Sequence, residues 1–211
     1  FLKNDFLTSK KFLIASSGVE EMLDNEFLSY KVYWKYLLNL LNWHDNKPIN
    51  QIDCLTNKKL FVIGESHSLA SHQLKVKILK NYFICHSLLV QGCKQWDLGT
   101  TKINKFKIKF KKLFKSIPKS SLVLISIGEI DCRLDSGIIK FKKKNSHKNL
   151  TEIIFNVVNR YLNYISKINF NMKHKIIIQG VPCPNIEIKN IEDKEIRMLV
   201  NVIKQFNIIL R

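Results

Sequence analysis

Hydrophobic positions in residues 56–211 alternate between short continuous runs and longer stretches with helical spacing. Four runs have the length and β-branched content of buried strands, and each ends near a glycine; they cover residues 59–64, 87–91, 121–127 and 175–179. Between and after them, apolar residues recur every three or four positions, which predicts helices at about 66–80, 102–116, 153–165 and from about 193. This alternation is typical of a mostly parallel sheet with both faces covered by helices. A polar, lysine-rich loop is predicted over residues 135–149.

The N-terminal part of the chain has a different pattern. Apolar and aromatic residues at helical spacing over residues 17–43 predict a long amphipathic helix, with Ser16 or Ser17 as its cap. Asn46, Pro48 and Asn50 then interrupt the pattern. We therefore divide the chain into an N-terminal helical extension, residues 1–55, and an α/β domain, residues 56–211.

The chain begins at Phe1 rather than Met and stops at Arg211 inside an apolar helical pattern. We therefore expect a fragment in which the α/β domain ends before its last strand. No apolar run approaches the roughly 20 residues of a membrane span. The five cysteines are an odd number without a C-x-x-C pair, which favours free thiols in a reducing cytoplasm over a zinc site or a disulfide framework. A leader before Phe1 would not be visible in this sequence.

The formal net charge of +18 raises the question of nucleic-acid binding. Lysine supplies nearly all of this charge, and the chain has only four arginines, the residue whose guanidinium reads guanine and phosphate. The sequence also lacks the glycine-rich phosphate loops G-x-G-x-x-G and G-K-[ST]. We expect no specific nucleic-acid partner, only non-specific attraction to acidic polysaccharide or anionic lipid surfaces.

Chemically active side chains follow two of the predicted strands. The first strand runs into Gly64, Glu65, Ser66 and His67, and the third is followed by Gly128, Glu129, Asp131 and Arg133. Because the carboxyl ends of parallel strands meet at one edge of a sheet, we expect both groups at a common site. A serine at such a strand exit is the arrangement of a nucleophile on an α/β fold.

GESHS at residues 64–68 and GEIDCR at residues 128–133 resemble two blocks of the SGNH, or GDSL-like, hydrolases, in a bacterial branch that carries the hexapeptide. LLVQGCKQWDLG lies where that family has its second block, and VPCPN fits its fourth strand exit. The resemblance covers roughly residues 58–211. It implies a flavodoxin-like three-layer α/β/α sandwich that hydrolyses or transfers O-acyl groups, with acetylated carbohydrate as the favoured substrate, and it implies no metal or organic cofactor.

The same resemblance implies roles for individual residues. Ser66 would be the nucleophile, and the N–H groups of Gly92 and Ser66 would bind the oxyanion. We assign substrate binding to the charged residues around them; these are Glu65, His67, Glu129, Asp131 and Arg133. The general base would be a histidine in a late D-x-x-H block.

Two departures from the family pattern keep a second hypothesis open. Ile130 occupies the position where the family has an asparagine oxyanion donor, and no D-x-x-H follows the fourth strand, since the last histidine is His174. The alternative is a catalytically inactive binding module with the same fold. Structural roles also remain open for Ser66 as a helix cap, for Asp131 as a cap or a partner of Arg133, and for Arg133 as a partner of Glu129. His67 would then be a surface histidine, and Cys132 a structural thiol.

Overall fold

The structure is a computed structural model that describes residue 2 and residues 5–17, 28–46, 57–182 and 191–211. The chain divides into two compact units, Phe1–Thr56 and Asn57–Arg211. No helix in the described ranges is both long enough and apolar enough to cross a bilayer.

The described part of the first unit contains helices α1 (Phe6–Ala15) and α2 (Leu28–Asn46). The Trp34 indole joins them by donating hydrogen bonds to the Leu13 carbonyl at 3.1 Å and the Ser16 hydroxyl at 3.0 Å. Ser16 is the C-terminal cap of α1, and the expected cap of the long helix by Ser16 or Ser17 stays a prediction. Part of that predicted helix, together with the break at Pro48, lies outside the described residues.

The second unit is built on a five-stranded sheet with the order β2-β3-β1-β4-β5. Its strands are β1 (Lys59–Gly64), β2 (Lys75–Ile78), β3 (Asn81–Leu89), β4 (Leu122–Ser126) and β5 (Lys175–Ile178). All neighbouring pairs are parallel except β2 with β3. The predicted α/β class with a mostly parallel sheet is therefore confirmed.

The helix predicted over residues 66–80 is wrong. The chain instead forms a short 3₁₀ turn, Ser66–Ser71, followed by the edge strand β2. Lys75 to Ile78 alternate polar and apolar residues with the period of a strand, and Leu79 turns the chain with a φ of 53°. Because β2 pairs with the first half of β3, β3 begins six residues before the predicted start at Ser87.

Five further helices follow in the described part of the second unit. They are α3 (Gln95–Gly99), α4 (Lys105–Ser116), α5 (Gly137–Lys144), α6 (Leu150–Asn169) and α7 (Asp193–Ile209). Helix α5 lies inside the stretch predicted as a polar loop. It forms because Ile138 and Ile139 are completely buried and give this lysine-rich segment an apolar side.

The main core lies between α4, α6 and one face of the sheet. Phe110 and Phe114 of α4 and Tyr161 of α6 pack against Ile63 and Ile125, and all five side chains are fully buried. A smaller cluster centred on Leu60, Val62 and Cys85 occupies the opposite face and, within the described ranges, consists of strand residues only. A helical layer on that second face therefore remains a prediction.

Gly64 is the point of closest approach between β1 and β4. A Cβ atom built on Gly64 would lie 2.2 Å from the backbone oxygen of Ser126, far inside van der Waals contact. Any side chain at this position would have to separate two central strands, so the glycine is required by space.

We predict that Gly64→Ala lowers the free energy of unfolding by about 3 kcal/mol, because overpacking against backbone cannot be relieved by a rotamer change. Gly180→Ala is the matched control, since its Cβ would lie 3.2 Å from a side-chain oxygen of Asn207 rather than 2.2 Å from backbone. Urea unfolding of both variants measures the difference. Equal costs for the two substitutions would contradict this account of Gly64.

Candidate active site

The carboxyl ends of β1 and β4 are joined by the side chain of Glu65. Its Oε1 atom accepts hydrogen bonds from the backbone N–H groups of Gly128 and Glu129, both at 3.1 Å. The Glu65 N–H in turn donates to the Ser126 carbonyl at 3.2 Å. The two segments that carry GESHS and GEIDCR therefore meet at one sheet edge, as the order of the strands requires.

A small cleft opens at this edge; its interior volume is about 10 Å³, close to the space that one water molecule needs. Glu65, His67 and Glu129 supply its titratable lining. The ends of β4 and β5 and the segment after β5 supply the rest, namely Ser126, Ile127, Gln179, Gly180, Val181 and Pro182. Ser66 is half-buried and begins the 3₁₀ turn. Its sequence neighbours Glu65 and His67 line the cleft, whereas Ser66 itself does not.

Glu65 is held in an environment that disfavours its charge. The residue is only 2% exposed, and its Oε2 atom is buried without a hydrogen-bond partner. Burial and the nearby Glu129 carboxylate raise the pKa of Glu65 to about 7, while the two backbone hydrogen bonds oppose this shift. Both protonation states of Glu65 are therefore accessible near neutral pH.

Glu129 and Arg133 form a bidentate ion pair. The Arg133 Nε atom donates to both carboxylate oxygens of Glu129, at 2.9 and 3.0 Å, and a terminal guanidinium nitrogen donates to Oε2 at 2.7 Å. Glu129 is buried, whereas the Arg133 side chain is 45% exposed. This pairing is the structural role that the sequence left open for Arg133, and it raises the pKa of the guanidinium further.

Asp131 points into the fold and does not line the cleft. The residue is completely buried, and its two oxygens accept hydrogen bonds from the backbone N–H groups of Gln95, at 2.7 Å, and Trp96, at 3.1 Å. It therefore caps the start of α3, although burial raises its pKa to about 7. The adjacent Cys132 is also fully buried, and burial raises the pKa of its thiol, as expected of a structural cysteine.

Gly92 lies in the turn that follows β3. Its φ of 71° falls in the left-handed region, and an added Cβ would meet nothing closer than Phe106 at 3.8 Å, so the backbone conformation, and not space, favours glycine here. The turn is attached to the end of β1, because the Val90 N–H donates to the Gly64 carbonyl at 2.7 Å.

Sequence reasoning did not single out the cleft residues Ser126 and Gln179. Both stand at the carboxyl ends of predicted strands, and that position was the available signal. Gln95 lies in the LLVQGCKQWDLG block and was given no role of its own. The structure buries it completely, with its amide donating to the Ile127 carbonyl at 2.7 Å, so it supports the backbone just before Gly128.

Part of the positive charge of the chain is concentrated on a second surface, whose lining residues differ from those of the cleft. A groove on α4 and α6 is lined by five lysines, which are Lys107, Lys111, Lys115, Lys119 and Lys167. Ile103 and Ile108 line the same groove and are largely exposed. This surface is the natural location for the non-specific attraction of polyanions, which remains a prediction.

No protein-family model, curated protein or solved structure matches this chain. The resemblance to SGNH hydrolases therefore rests on the two motifs, GESHS and GEIDCR. What the structure adds is their placement on adjacent parallel strands and the hydrogen bonds of Glu65 that connect them.

The raised pKa of Glu65 predicts a specific pH dependence of stability. Between its ordinary value of 4.5 and about 7, the folded protein retains a proton that the unfolded chain releases, so stability falls as pH rises through this window. We predict that Glu65→Gln reduces this fall in the free energy of unfolding by about 3 kcal/mol. Urea unfolding of the wild type and the variant at pH 4.5 and pH 8 measures the difference.

Asp135→Asn serves as the control, because Asp135 is an exposed carboxylate in the segment between β4 and α5. It should keep the wild-type pH dependence. A Glu65→Gln variant that follows the wild-type curve would show that Glu65 does not hold its proton in the folded state.

Proposed function

We propose that the protein is an SGNH-type serine esterase or acyltransferase that acts on O-acyl esters, with acetylated carbohydrate as the favoured substrate class. The observation that carries the proposal is the location of Ser66 beside the GEIDCR segment, at the shared carboxyl edge of β1 and β4. The four parallel strands, numbered in chain order, are arranged 2-1-3-4. This arrangement matches the first four places of the flavodoxin-like order and supports that architecture as part of the proposal.

In the proposed reaction the Ser66 hydroxyl attacks the ester carbonyl and gives its proton to a general base. The tetrahedral intermediate collapses, the alcohol leaves with that proton, and the acyl group remains on Ser66. Water or a sugar hydroxyl then takes the acyl group by the reverse sequence. Backbone N–H groups at Ser66 and in the turn of Gly92 would stabilise the oxyanion.

The general base is the open part of this mechanism. His67 is the histidine that lines the cleft in the described ranges, but it follows Ser66 directly, and neighbouring side chains diverge in a helical turn. His72 is buried, and its Nδ1 atom accepts a hydrogen bond from the Ser87 N–H at 3.1 Å. His174 precedes β5 and so belongs to the opposite edge of the sheet. The proposed mechanism therefore assigns the general base to none of these three histidines.

A catalytically inactive binding module is the second candidate. Two features favour it: Ile130 cannot donate a hydrogen bond from its side chain, and both oxygens of Glu129 are already paired with Arg133. Such a module would use the same cleft to bind a small polar group without breaking a bond.

We predict that Ser66→Ala lowers kcat for p-nitrophenyl acetate by about 10³-fold or more, because removal of a nucleophile abolishes the acyl-enzyme route. Ser71→Ala is the matched control. Ser71 closes the same 3₁₀ turn and donates to the Ser68 carbonyl at 2.8 Å, so its hydroxyl is structural. Its variant should keep the wild-type kcat within a few-fold.

Labelling with a fluorophosphonate, followed by peptide mass spectrometry, tests the nucleophile by a second route. The label should be found on Ser66. Full turnover by the Ser66→Ala variant would overturn the assignment of the nucleophile. Wild-type protein that neither turns over the ester nor takes the label would contradict the enzyme and favour the binding module.

A further inference from the structure

We propose that Glu65, His67 and Glu129 bind a divalent transition-metal ion, Zn²⁺ or Mn²⁺, in the cleft at the carboxyl ends of β1 and β4. This site goes beyond the proposed esterase activity and does not depend on it. The three side chains come from two strand exits that the hydrogen bonds of Glu65 hold together.

The first support is the convergence of the donor atoms. One carboxylate oxygen of Glu65, one of Glu129 and one imidazole nitrogen of His67 lie within 4.8 Å of one another. Ligands that share an ion at bond lengths near 2.1 Å are separated by at most about 4 Å. The remaining adjustment falls to His67, because it is the exposed member of the three.

The second support is an unsatisfied oxygen. Glu65 is more than nine-tenths buried, and its Oε2 atom has no hydrogen-bond partner, while Oε1 is fully used by two backbone N–H groups. A buried polar atom without a partner costs about 1–3 kcal/mol. A cation in the cleft would remove that cost, because Glu65 is one of the residues that line it.

The third support is the charge of the cleft. Arg133 pairs with Glu129 and compensates one carboxylate, so the charge of an ionised Glu65 has no counter-ion among the described residues that line the cleft. None of those lining residues is a lysine or an arginine, although the chain as a whole carries +18. Each carboxylate oxygen has two lone pairs, so Glu129 can accept from Arg133 and still coordinate an ion.

The donor set selects the class of metal. An imidazole nitrogen with two carboxylate oxygens suits Zn²⁺ and Mn²⁺ better than Ca²⁺ or Mg²⁺, which prefer oxygen ligands only. Three protein ligands also leave at least one coordination position for water or for an oxygen of a bound molecule, as in catalytic rather than structural zinc sites.

The test uses the whole chain after removal of metals with a chelator. Mn²⁺ is titrated by electron paramagnetic resonance and Zn²⁺ by calorimetry; Mn²⁺ is the decisive probe, because cysteine thiols elsewhere attract zinc. We expect a single Mn²⁺ per chain, and at least about tenfold weaker binding in His67→Ala. His147→Ala is the matched control, since His147 is also an exposed histidine outside the cleft, and it should bind as the wild type does.

Ser66→Ala separates this proposal from the proposed function. The variant should keep the wild-type affinity for Mn²⁺ even where its esterase activity is lost. Glu65→Gln should weaken binding as His67→Ala does, and circular dichroism verifies its fold. Equal affinities of His67→Ala and His147→Ala, or no Mn²⁺ binding by the wild type at about 1 mM, would overturn the metal site.

Discussion

The carboxylate of Glu65 is the interaction on which the arrangement of the site depends, because it joins the exits of two neighbouring strands. Its hydrogen bonds to the N–H groups of Gly128 and Glu129 fix the start of the GEIDCR segment against the start of the turn that carries Ser66. Two glycines make this contact possible. A Cβ on Gly64 would strike the Ser126 backbone, and one on Gly128 would lie 2.8 Å from the Val181 side chain. A side chain at Gly64 would push apart the strand exits that Glu65 connects, and one at Gly128 would press against the segment after β5.

Different residues of the GEIDCR segment contribute to the fold and to the cleft. Glu129 faces the cleft, with Arg133 compensating its charge, whereas Asp131 turns inward and caps α3. Gly137 makes room for this inward turn. Its φ of 56° and its lack of a side chain allow it to lie against the Asp131 backbone. A fully buried carboxylate with two backbone donors ties the exit of β4 to the helix after β3. Part of this motif is therefore explained by folding requirements alone, and the chemistry must be argued from Glu65, Glu129 and Ser66.

Sequence patterns predicted the strands that are continuous apolar runs and the long periodic helices. The predicted positions of β1, β4, β5 and α6 are confirmed, because apolar runs and helical spacing are visible in the local sequence. The edge strand β2 was missed because its strand-like alternation covers only four residues, and its pairing with β3 is not visible in the local sequence. The proximity of Glu65 and Glu129 followed from strand order. The capping of α3 by Asp131 joins residues 35 and 36 positions apart and depends on how the β3–β4 crossover folds, so it was not accessible from spacing.

The cleft is lined by acidic side chains, whereas the chain as a whole carries a positive net charge. With a net charge of +18, the protein attracts anions over much of its surface, and the lysine groove on α4 and α6 concentrates that field. The cleft itself is lined by two buried carboxylates and by no lysine or arginine, so an anionic group entering it would meet Glu65 and Glu129 in a medium of low polarity. A neutral ester or a cation avoids this repulsion. An acetyl ester of an uncharged sugar, the substrate class proposed above, is such a neutral group, so the charge of the cleft is compatible with that proposal.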